Sequence, residues 1–357
     1  MMLAFCSIFF VTLSCSISPT LSFRRQILLQ RSTHPCTVSS AYNNRLYSIY
    51  PDTARGGGGV FDTPQLLQFY EPVTNVSVVL IGAMHYNPAS IQLTTNVIDA
   101  LVQKNVLSSV VIESCETRWN RTMLLQNSES SPFIKQVLKN EMMAASNIAT
   151  SFNRPVILGD QCINVTNQRI ALAFKDTIRD ILNPFNGWSR LYADVNQAVA
   201  SSLPTGPNYL GASDFFDSKL LFNAPVSLLR YPLAFLIKAP LTGTVTLSTL
   251  LLASYLSSMD GTSTSSGIDW SDFVSIVSVV PSELLMSTLI FAFELALLSR
   301  VFIVTILAER NDVLAESIVR ECFKAVENGE GKSTVVAVLG MAHCNGIKKI
   351  ITERKEG

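Results

Sequence analysis

The chain has 357 residues, 48% of them hydrophobic, with 27 basic and 27 acidic side chains. Zero net charge argues against a general nucleic-acid surface. A charged fraction of only 15%, with a mean hydropathy of +0.31, raises the expectation of membrane contact, and the length suits one large α/β domain or a domain with a sizeable insertion.

Residues 2–16 are apolar and uncharged, and the small residues Ser16, Ser18 and Ser22 follow. This predicts a secretory signal peptide over residues 1–22, too short for a comfortable membrane span. Residues 23–60 start with an Arg- and Ser-rich stretch free of acidic groups and end in the run Gly56 to Gly59. They read as a transit-like leader and a linker. A signal followed by a transit-like segment, with Phe23 after Ser22, resembles the bipartite leaders that target plastids. The alternatives are the secretory pathway, an organelle membrane or the mitochondrion. The cysteines form no C-x-x-C pair, so neither a disulfide framework nor a zinc knuckle is indicated. Asn75, Asn120 and Asn164 open glycosylation sequons, which matter only in the secretory pathway.

From residue 61 the periodicity is that of an α/β domain running to residue 357. Val76 to Ile81 is a short apolar run, hence a buried strand. Pro88 to Lys104 has helical spacing, with Ile91, Val97, Ile98 and Leu101 on one side, and Ser109 to Ile112 is a second strand. Strand, helix, strand in that order fits a parallel crossover unit. Pro132 to Phe152 reads as one helix and Pro155 to Leu158 as a third strand. Residues 171–299 read as an apolar, proline-broken helical insertion. Within it, Lys238 and Asp260 enclose 21 uncharged residues, enough to span a bilayer. Leu284 to Ile306 is also apolar but carries Glu294 and Arg300, which are costly at depth unless paired. The segment 239–306 is therefore either membrane-associated or a buried helical subdomain or dimer surface. Arg300 to Glu327 reads as one long helix, Thr334 to Leu339 as a fourth strand, and Asn345 to Thr352 as a closing helix.

Two phrases carry the chemistry, Gly82-Ala83-Met84-His85 and Gly340-Met341-Ala342-His343. Each closes an apolar, β-branched run. The only other histidine, His34, lies in the leader. One histidine after a strand is more often structural; two in matched settings suggest one shared site. His85, Glu113, Asp160 and His343 each follow a predicted strand. In open parallel sheets function gathers beyond the carboxyl ends of the strands. Two imidazoles with one or two carboxylates suit a divalent metal that acidifies water and polarises a carbonyl. Glu113 also reads as a helix cap and Asp160 as a turn residue.

Six elements in order resemble the TraB/PrgY/GumN family. That family is related to the Tiki metalloproteases and more distantly to ChaN-like and erythromycin-esterase-like proteins. GAMHYNPAS, through Ser90, resembles its first G-x-x-H element, and VVIESCETR gives Glu113 and Arg118. NEMMAA gives Glu141, and PVILGDQCINVTNQR gives Asp160 and Arg169. AERNDVLAESI resembles E-R-D-x-x-M-A and gives Glu309, Arg310 and Asp312. VAVLGMAHCNGI resembles the closing element with His343 and Gly346. Ala83 and Gln161 depart from the family pattern, and Asn311 reads as an extra residue within E-R-D.

The resemblance implies a metal-dependent hydrolase, most readily a peptidase, with manganese, cobalt or zinc held by His85, His343 and Glu113. Glu113 would be either a third ligand or the general base. Arg118, Arg169 and Arg310 would bind a substrate carboxylate or pair with Glu141 and Glu309; ion pairs are the simpler reading. It equally allows a non-catalytic peptide-binding protein, as in pheromone shutdown, or an organelle-membrane tether, and under any reading the chain could form a homodimer. Metal-free acid/base catalysis by the two histidines is a third reading. No nucleic acid is expected as a partner.

Overall fold

The computed structural model describes residues 63–128, 131–240, 244, 248, 293–329 and 333–354. The leader expected over residues 1–60 and most of 239–292 lie outside these. The described residues form an α/β structure around a five-stranded sheet. The strands are β1 (Leu66–Tyr70), β2 (Ser77–Ala83), β3 (Leu107–Ile112), β4 (Val156–Leu158) and β5 (Thr334–Gly340), in spatial order β1-β2-β5-β3-β4. The pairings β2–β5, β5–β3 and β3–β4 are parallel, and β1 pairs antiparallel on the outer edge of β2.

β2, β3 and β5 are buried at every residue, which is why they read as unbroken apolar runs rather than alternating ones. Val78 and Leu80 with Val335, Ala337 and Leu339 face one side. They pack there on α9 (Glu309–Glu327) and α10 (Met341–Thr352). Val79 and Ile81 with Val336 and Val338 face the other side, against α1 (Pro88–Gln103) and α4 (Glu141–Ser151). The helices follow the strict two-residue alternation of the strands.

Several predicted elements change in detail. β1 is absent from the sequence reading because it is an edge strand, half-exposed, with only β2 as partner. α2 (Glu116–Asn127) is polar and also unforeseen. The single helix expected over 132–152 is two, α3 (Pro132–Leu138) and α4, because Asn140 caps α4 by accepting from the Met143 N–H at 2.9 Å. The long helix expected from Arg300 is a π-helical segment, Arg300–Ala308, that continues into α9. α10 begins four residues earlier than the expected Asn345, so His343 is helical.

The helical region begins before residue 171, with α5 (Ile163–Ile181). α6 (Gly187–Ser202), the short α7 (Ala212–Phe215) and α8 (Ser218–Lys238) follow. Among the described residues α8 is the one helix long and apolar enough to cross a membrane. Its Leu220, Ser227 and Ala234 are buried, and Asn87 Nδ2 donates to the Leu220 carbonyl at 3.1 Å. Part of the stretch 284–306 is described, and it turns inward. Leu297 and Val301 pack on Ala173 of α5. Arg300 is buried and donates to Asp180 at 2.6 Å and to Asp194. Its charge is thus placed in a protein interior.

Candidate functional site

The parallel pairing sets β2, β5, β3 and β4 side by side with their carboxyl ends together. The residues just beyond those ends meet there. Glu113, beyond β3, is buried, and its backbone N–H still donates to Val338 of β5 at 3.2 Å. Its side chain crosses under β5, where Oε2 accepts the Gly340 N–H at 2.6 Å and Oε1 accepts from Arg310 of α9 at 2.5 Å. A Cβ on Gly340 would stand 3.2 Å from His85 Nε2, 3.3 Å from Glu113 Oε2 and 3.6 Å from His343 Cδ2. The second motif glycine therefore provides close approach to both histidines and the glutamate, and its φ of −61° requires no glycine.

The two histidines are oriented in parallel fashion by different partners. His85 Nδ1 lies 2.6 Å from Glu141 Oε1. A carboxylate only accepts, so Nδ1 carries a hydrogen and Nε2 is directed to Glu113, 4.0 Å from Oε2. His343 Nδ1 lies 2.7 Å from Asn311 Oδ1, and its Nε2 is 3.4 Å from Glu113 Oε1. Glu141 is the first residue of α4, where the positive helix end favours a carboxylate. Its Oε2 accepts the Tyr86 N–H at 3.1 Å. That bond holds Tyr86 at a φ of 61°, a left-handed conformation costing a non-glycine residue about 1–2 kcal/mol.

Asp160, beyond β4, binds two arginines. It accepts from Arg310 Nε at 2.9 Å and Nη2 at 2.6 Å, and from Arg118 of α2. Arg118 and Arg310 thus pair with Asp160 and Glu113, while Glu141 takes His85. Arg169 and Glu309 do pair, at 3.7 Å, but as a partly exposed couple outside this buried network. Asp312 makes no contact with the cluster that is described. Asn311, read in sequence as an extra residue, is fully buried and orients His343. It reaches there because Gly346 has no side chain: a Cβ on Gly346 would stand 2.2 Å from Asn311 Nδ2. Tyr86, which follows His85, and Tyr231 and Lys238, which both meet Tyr86, were not foreseen. Only Tyr86 had a signal, its place next to the motif histidine.

The electrostatics separate the histidines. Burial disfavours charge on His85, but Glu141 and then Glu113 outweigh it and raise the pKa to about 9. Burial lowers that of His343, which has an amide as partner, and the attraction of Glu113 does not reverse it. Glu113 is held well below the usual carboxylate range. Burial pushes it up, but His343, Arg310, His85 and the Gly340 N–H together pull it further down. Within the ion-paired network three carboxylates face two guanidiniums, leaving one negative charge for a proton on His85 or a cation.

As arranged, no three His, Cys, Asp or Glu side chains among the described residues form a closed metal cluster. The donor chemistry nevertheless suits one. Two imidazoles with acceptor-held Nδ1 atoms turn Nε2 to one ionised carboxylate, the pattern by which outer partners orient metal-binding histidines. Compared with protein-family models and with curated proteins, the sequence gives no match in either.

Proposed function

We propose that the chain is a metal-dependent hydrolase of an acyl substrate, a peptide in the first instance, with its active centre at the carboxyl ends of β2, β5 and β3. The observation that carries this reading is the convergence of His85 Nε2 and His343 Nε2 on the buried Glu113, each imidazole fixed by its own acceptor. His85, His343 and Glu113 are the residues that would hold a divalent cation. When bound, the cation supplies Lewis acidity, which acidifies water and polarises a carbonyl. Glu113 acts here as a ligand rather than as general base. Arg310 and the Gly340 amide hold its proton affinity down, and a weak base takes protons poorly at neutral pH. Arg310, itself gripped by Asp160, keeps Glu113 in place. Glu141 and Asn311 set the tautomers of the two histidines.

The test is metal content and cleavage together. Chain equilibrated with zinc, manganese or cobalt should retain about one equivalent of one of them and cleave members of a peptide library. His85→Ala and His343→Ala should each lose the metal and more than about 100-fold of the activity. Unchanged metal content in both variants overturns the assignment.

A second reading is a non-catalytic protein lying on an organelle membrane. Leu221, Phe222, Leu228 and Leu229 of α8 are exposed, Phe222 to 87%. Leu182, Phe185 and Trp188 at the α5–α6 junction are exposed as well. Aromatic and apolar groups of this kind suit a membrane interface.

A further inference from the structure

Lys238 ends α8 one turn beyond the buried Ala234, on the docked side of the helix. Its Nζ donates to Tyr86 Oη at 3.1 Å. The same Nζ is 5.8 Å from the Tyr86 ring centroid, so it lies off the hydroxyl end of the ring rather than over its face and gains no cation–π attraction. Tyr86 is a fixed platform. Its backbone is pinned to Glu141 and its ring meets Tyr231 edge-on at 5.9 Å.

Among the described residues no carboxylate forms an ion pair with Lys238. Glu141 is near enough to attract it, but its oxygens face His85 and the Tyr86 N–H and form no ion pair with Nζ. Arg118, the other charge facing it, repels it. Among the described residues this half-buried ammonium has no ion-paired carboxylate, and such a charge is costly to bury. Burial above all pushes its pKa down, to about 8. The cost is relieved when an anion arrives.

We propose that Lys238, with Tyr86 and Tyr231 as walls, recognises a carboxylate carried by the substrate next to the scissile bond, in a peptide its C-terminal carboxylate. The position beside the scissile bond rests on the hydrolase reading above. Lys238 is tied to Tyr86, the residue after His85, and Glu141 grips both of those residues. A carboxylate fits better than a phosphate. Lys238 offers one point charge; Arg310 is held by Glu113 and Asp160, and the charge of Arg118 is paired with Asp160, though its Nε has no hydrogen-bond partner. A phosphate calls for a guanidinium fork or a second free cation.

The test is calorimetric binding of an N-acetylated dipeptide and of its C-terminal amide to the full chain at pH 6.5. The wild type should bind the acid about tenfold more tightly than the amide, with Lys238→Met erasing the difference and Lys238→Arg keeping most of it. If the dipeptide is cleaved, Lys238→Met should raise KM for the acid and leave kcat unchanged. The proposal is overturned if the wild type has no preference, including no binding of either compound. It is equally overturned if the preference survives in a Lys238→Met protein that melts like the wild type. Failure of the hydrolase reading would look different: no metal retained and no peptide cleaved, with the preference for the acid intact.

Discussion

His85 and His343 reach the same carboxylate from different kinds of backbone. His85 follows β2 in a turn that forces Tyr86 left-handed, whereas His343 sits in the first turn of α10 with Gly340 as its N-cap. The repeated G-x-x-H phrase therefore marks a common destination and not a common local structure. The partners differ too, and this has a measurable consequence at His85. Burial opposes its charge, yet Glu141 and Glu113 raise the pKa to about 9 from the ordinary 6.5. A raised value means that the imidazolium favours the folded state, fully below pH 6.5 and progressively less as pH rises through 9. Chelator-treated chain should accordingly lose thermal stability between pH 6.5 and 8, above which the depressed Lys238 begins to offset the loss, and Glu141→Gln should flatten that slope. A wild-type melting temperature independent of pH across this window would contradict the charged form. Both histidines and Glu113 were legible in the sequence, because each closes a conspicuous apolar run. Asn311 was not, since its role depends on the space that Gly346 leaves across a helix–helix contact.

At the scale of elements, the ion cluster of the helical region explains how an arginine sits in an apolar stretch. Asp180 of α5 is fully buried and accepts from Arg190 of α6 and from Arg300 of the π-helical segment, with Arg179 3.6 Å away. Among the described residues, removing its charge leaves buried Arg300 with Asp194 alone. Asp180→Asn should therefore destabilise the chain by about 3 kcal/mol, read as a lower urea midpoint. A change under about 0.5 kcal/mol would mean that the cluster is solvated. From sequence, Arg300 was only an interruption, because the carboxylates that neutralise it are over a hundred residues away. The break at Asn140, by contrast, was visible in principle: an Asn followed by Glu is a helix start whatever the tertiary context. The π-helical segment leads straight into Glu309-Arg310-Asn311, so the way it joins α9 sets where Arg310 and Asn311 point.

For the whole molecule, β5 is decisive. It comes last in the chain yet inserts between β2 and β3, carrying Gly340 and His343 into the middle of the rim. α8 then packs its Leu220, Ser227 and Ala234 inward and leaves Phe222 and Leu229 outward, although Pro225 and Pro232 interrupt its hydrogen bonding. If that outward face rests on a membrane, purified chain should float with anionic vesicles and Phe222→Ser with Leu229→Ser should reduce the bound fraction about tenfold. Flotation that is absent, or unchanged in the double variant, removes the second reading. The apolar stretch expected to contact membrane was 239–306. Most of that stretch lies outside the described residues; among those described, the helix that meets the length and hydropathy of a span is Ser218–Lys238.

The α/β class, four of the strands and the residues that stand at their carboxyl ends are legible in the amino-acid sequence. Those depend on local apolar periodicity and on chain direction, both written residue by residue. The strand order, the pairing of each arginine, the partner of each histidine and the presence of Lys238 beside Tyr86 emerge only once the chain is folded. These are contacts between segments far apart in the chain, and burial, charge balance and the space left by a glycine select them with no local signal.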